Sequence, residues 1–84
     1  MNEYIATFHT HADALIAHRA LISQGADARM MPVPRKLSSS CGTCVRYHGE
    51  EDLRALLTES DYEAVYQVKG IGEYQLICSG DKNE

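Results

Sequence analysis

The sequence predicts an α+β domain, a ferredoxin-like split β-α-β sandwich in the order β-α-β-β-α-β, its antiparallel sheet covered on one face by two helices. Three observations carry that expectation. Short runs rich in β-branched and aromatic residues recur along the chain. The apolar spacing changes to a helical period after the first and third of these runs. Glycines and prolines stand at the boundaries between them. At 84 residues the chain is near the lower limit for one self-sufficient core, so residues 1–78 are read as a single domain and 79–84 as a polar tail.

Tyr4-Ile5-Ala6-Thr7-Phe8 is the first strand, with Ile5 facing the core. Thr10 followed by Asp13 forms a capping box with Asp in place of Glu, and opens a helix from about His11 to Gln24 that stops at Gly25. On a helical wheel Leu15 and Ile22 share one stripe, flanked by Ala12 and Ile16, and that stripe is the expected core face. Ala26 to Val33 is the second strand, its end marked by Pro32 and Pro34. The third, Thr43 to His48, alternates so that Cys44, Arg46 and His48 share one face while Val45 and Tyr47 pack inward. Gly49 turns the chain into a second helix over about Glu50–Glu59, with Leu53, Leu56 and Leu57 at core spacing. Tyr62 to Val68 is read as the fourth strand and not as a helix capped by Ser60, because it is rich in Tyr and Val. Gly70-Ile71-Gly72 can turn it into a short fifth strand, Tyr74 to Cys78.

A formal charge of −4 gives no general attraction to nucleic acid or to an anionic membrane, and no apolar run is long enough to span one. No signal-like segment opens the sequence, so the chain is expected in the cytoplasm. There is no phosphate-binding glycine loop, paired-carboxylate site or Ser-His-Asp spacing, and no cofactor is expected. Unpaired strand edges in so small a domain leave room for a homodimer.

The chemistry concentrates in Ser38-Ser39-Ser40-Cys41-Gly42-Thr43-Cys44-Val45-Arg46. A thiol reacts as its thiolate, which hydrogen-bond donors and positive charge stabilise. The hydroxyls of Ser38, Ser39 and Ser40, the backbone around Gly42 and the guanidinium of Arg46 are groups of that kind. The predicted topology adds to them. Strands one and two run parallel with strand three between them, so the cysteine loop emerges at the end where the first helix begins. Cys41 is then expected near Phe8, His9 and Thr10, at a helix N-terminus whose partial positive charge suits an anion. Arg35 and Lys36 offer charge to an acidic partner.

In these residues the sequence resembles the small bacterial proteins of the family described as putative Se/S carrier protein-like. The likeness runs from Tyr4-Ile5-Ala6-Thr7-Phe8-His9 through Met31-Pro32-Val33-Pro34-Arg35 and Leu37-Ser38-Ser39-Ser40-Cys41-Gly42 to Arg46. It implies a carrier more than a stand-alone enzyme. Cys41 is the matching cysteine, holding a chalcogen as Cys–S–S⁻ or Cys–S–Se⁻ between a donor, such as a cysteine desulfurase, and an unidentified acceptor protein. Cys44 lies beyond the core Ser-Cys-Gly pattern, and is a resolving thiol, a ligand or a packed residue. Two other function classes compete with this one. The C-x-x-C pair suits thiol-disulfide redox, although a strand follows it here and not a helix. It also supplies two metal ligands where structural zinc takes four, and no metal set is assigned. In the third class the domain is a regulatory or interaction module with incidental cysteines.

Overall fold

The computed structural model describes residues 2–37, 39, 41–49, 57 and 62–79. In chain order these form β1 (Asn2–Phe8), α1 (His11–Ser23), β2 (Asp27–Pro32), β3 (Thr43–Gly49), β4 (Tyr62–Gly70) and β5 (Glu73–Ser79). The strands make one sheet in the order β2-β3-β1-β4-β5, each neighbouring pair antiparallel. β1 and β2 therefore run parallel on either side of β3, as the sequence predicts. The fold is α+β, with a five-stranded antiparallel sheet and one helix among the described residues.

Residues 62–70 are a strand, and β5 forms beside it, so the sheet has one strand more than the β-α-β-β-α-β formula. Ser79, assigned to the tail by sequence, closes β5. The predicted second helix, Glu50–Glu59, lies outside the described residues except for Leu57, which is fully buried in the core. Ser38, Ser40 and residues 80–84 also lie outside them. No helix among the described residues is long and apolar enough to cross a membrane.

Alternation and register decide which side chains meet α1. Tyr4 pairs with Tyr47 and Ala6 with Val45, and Ala28 and Val65 continue those rows onto β2 and β4. Together with Phe8 they form the core, in which the Tyr4 and Tyr47 rings stack at 5.3 Å. The helix buries Ala14, Ala17 and Leu21 against this surface. This corrects the stripe drawn on the helical wheel: Leu15, Ile16 and Ile22 are 37%, 45% and 48% exposed. The reason is fit. Three aromatic rings already fill the space above the sheet, so the helix seats the face whose methyl groups at 14 and 17 permit a close approach. A wheel weighs hydrophobicity and carries no information about the surface opposite.

The helix ends form as predicted. Thr10 is extended, its Oγ1 accepts from the Asp13 N–H at 3.1 Å and donates to Asp13 Oδ2 at 2.8 Å. Gly25 takes φ +85° just beyond the C-cap Gln24, a conformation in which a side chain is strained. His18 sits half-buried with Nε2 3.2 Å from the Ala28 carbonyl oxygen.

Ile5 is 1% exposed, yet it faces away from α1, because it pairs with Arg46 and Tyr66, out of phase with Tyr4 and Ala6. Thr7 and Cys44 are buried beside it on that second face.

Candidate functional site

The segment between β2 and β3 leaves the sheet beside the start of α1. Its base is closed by the Val33 N–H donating to Gly42 O at 3.1 Å, and the Leu37 N–H donates to Pro34 O at 3.0 Å. Gly42 has φ +75°, and no atom lies within 4 Å of where its Cβ would be. Glycine is required there by the dihedral angle and not by crowding.

Cys41 is half-buried against the edge of the core. Its Sγ donates to Phe8 O at 3.4 Å and to Thr43 O at 3.6 Å, and Ser39 Oγ lies 3.9 Å away while itself donating to Phe8 O at 2.8 Å. Cys41 and Phe8 thus meet where the topology predicts. The surroundings are not a ring of donors, however. Two backbone carbonyls accept from the thiol, and among the described residues the Ser39 hydroxyl is the side-chain group within reach that can donate.

Cys44 occupies a different setting. It pairs with Thr7 and Met31, is fully buried, and its Sγ donates to Pro32 O at 3.7 Å. Burial, and after it the charge of the neighbouring Cys41, together push its thiol up to about 11. The thiols of the C-x-x-C pair therefore diverge, one toward a β1 carbonyl and one toward a β2 carbonyl. Cys78, on β5, has its Sγ 3.7 Å from the Tyr62 hydroxyl.

The other predicted site residues divide. Arg46 is not brought to Cys41: its Nε pairs with Glu3, toward the opposite end of β1. The His9 ring pairs with Glu63 on β4 at 3.3 Å, and the Thr10 hydroxyl is taken up by the helix cap. His11 is the histidine that meets the cysteine segment, with Nδ1 3.5 Å from Thr43 Oγ1. Lys36 donates to Gly72 O at 2.8 Å in the β4–β5 turn, and Arg35 is exposed. Ser38 and Ser40 lie outside the described residues. Among the described residues no three His, Cys, Asp or Glu side chains converge as a metal-binding group. The Phe8 carbonyl and the Thr43–His11 contact are the parts that residue types alone did not single out, since a backbone oxygen leaves no mark in composition. Strand order is the signal that points to the first, since it places Cys41 beside Phe8.

A family model described as Putative Se/S carrier protein-like matches residues 3–69, from β1 to the end of β4 and so including the whole cysteine segment. No curated protein and no solved structure matches the chain.

Proposed function

We propose a function for a chain that belongs to the Putative Se/S carrier protein-like family: Cys41 takes a sulfur or selenium atom from a donor protein, holds it, and passes it to an acceptor. The observation that carries this reading is the contrast between the two thiols. Cys41 is half-buried and keeps part of its surface open to a partner, whereas Cys44 is sealed and keeps its proton.

The transfer is a displacement at sulfur. The Cys41 thiolate attacks the outer atom of a donor persulfide R–S–SH, a new S–S bond forms at Cys41, and the donor bond breaks with its electron pair leaving as R–S⁻. A perselenide R–S–SeH reacts in the same way. A cysteine desulfurase is a donor of the required chemistry. The acceptor's thiolate repeats the displacement on the outer atom and restores Cys41.

Loading removes the S–H that the Phe8 and Thr43 carbonyls accept, and places negative charge on the outer atom. The Ser39 hydroxyl then turns from Phe8 O to the anion, aided by backbone N–H groups around Gly42. His11, next to Thr43, adds a proton donor on the same side. The exposed Arg35, with Lys36 beside it, gives an acidic partner a docking charge.

The test is intact-mass spectrometry of the reduced protein after incubation with a cysteine desulfurase and cysteine. Wild type and Cys44→Ser are expected to gain a sulfur atom and Cys41→Ser to gain none. An adduct that persists in Cys41→Ser, or that needs Cys44, refutes this assignment.

A further inference from the structure

The face of the sheet away from α1 holds a cleft of about 440 Å³ over β2 and β3. Its floor follows from register. Asp27, His48 and Glu3 stand in one row, and Arg29 and Arg46 stand opposite each other in the next. The first row alternates carboxylate and imidazole, with His48 ring nitrogens 3.8 Å from Glu3 Oε1 and 3.8 Å from Asp27 Oδ2. The second row does not alternate. Two guanidinium side chains directly across a strand pair repel each other and oppose folding.

Glu3 relieves part of that repulsion through the Nε of Arg46. Arg29 is exposed and makes no hydrogen bond or ion pair among the described residues. An anion seated between the two would reverse the sign of the interaction, since each guanidinium presents a planar fork matched to an oxyanion. Met31, two residues along β2 from Arg29 and so on the same face, lines the cleft and gives it an apolar, deformable wall, whereas Met30 turns to the α1 face and packs on the core. Its volume lies in the range of small-molecule sites, roughly 300–1,000 Å³, and exceeds what a bare ion fills.

We infer that this cleft binds a small molecule carrying a single phosphate-type dianion, seated between Arg29 and Arg46, with the apolar part of the molecule against Met31. The carboxylates of Glu3 and Asp27 set the specificity. They repel a second anionic group, so a molecule with one such head fits and a polyanion does not. The site is independent of the thiol chemistry at Cys41.

The experiment is an NMR titration of the full chain, following the arginine side-chain N–H signals, with phenyl phosphate as the probe and phenol as its uncharged counterpart. Phenyl phosphate is expected to move the Arg29 and Arg46 signals saturably while phenol does not. Arg29→Gln, at an exposed position that leaves the core intact, is expected to weaken binding at least about tenfold, the loss of one charge-assisted contact. Cys41→Ser is expected to bind as the wild type does, which separates failure of this site from failure of the carrier reading. Shifts that never saturate, equal binding of phenol, or an Arg29→Gln protein that binds as tightly as wild type would overturn the inference.

Discussion

Cys41 leans toward β1, where its sulfur meets the Phe8 carbonyl at 3.4 Å and stays partly exposed, while Cys44 is sealed between Thr7 and Met31 with its sulfur on the β2 side at Pro32. The cause is where the ladder begins. β3 starts at Thr43, so Cys44 is a rung with its side chain fixed perpendicular to the sheet, and Cys41 precedes the first rung. A C-x-x-C spacing says how far apart two thiols are along the chain. It does not say that they share a surface.

Alkylation puts this contrast under the greatest strain. A thiol raised from 9.0 to about 11 carries about a hundredfold less thiolate at pH 8 than an ordinary one, before any shielding by burial. Iodoacetamide should therefore modify Cys41 in the native protein and modify Cys44 at least about a hundredfold more slowly than in urea-unfolded chain. Equal rates at Cys44 in the two states would erase the distinction between the thiols.

A smaller effect sharpens it through stability. The folded state holds the Cys44 proton more tightly than the unfolded chain does, so the associated stability is complete below about pH 9 and is lost as pH rises toward 11. Its magnitude is on the order of 2–3 kcal/mol. Urea unfolding at pH 8 and at pH 10.5 should show a steeper alkaline loss for wild type than for Cys44→Ala. Parallel losses would mean that Cys44 does not resist ionisation.

The smallest expected effect concerns the hinge between the two thiols. Gly42→Ala meets no atom but must hold φ +75°, which costs about 1–2 kcal/mol for an L-residue and is read as a lower melting temperature. An alanine variant of unchanged stability would show that the segment holding Cys41 adapts freely.

Much of this arrangement was legible in the residues. The β-branched and aromatic runs located the strands, Thr10 and Asp13 fixed the helix start, and strand order brought Cys41 to Phe8. Other parts depended on distances that no sequence pattern encodes. Arg46 shares the predicted face with Cys44, but a strand face extends along its whole length, and the position of Glu3 decides to which end the guanidinium points. His9 and His11 are equivalent by composition, yet His9 finds Glu63 on β4 and His11 finds Thr43. The buried stripe of α1 is set by the rings it lands on, and the alanines that fit those rings are the least conspicuous residues in the helix.

The bond from Lys36 to Gly72 gives the connection between β2 and β3 the character of a pinned polymer. A strand connection held only at its ends by the Val33–Gly42 contact would sample a volume that grows with its contour length. Lys36 adds an attachment to β4–β5 between those ends, and the Ser39 hydroxyl adds another at Phe8 O. Under the proposed carrier function, a protein that engages the thiol beside this anchored base would forfeit less entropy than one that had to order the connection itself.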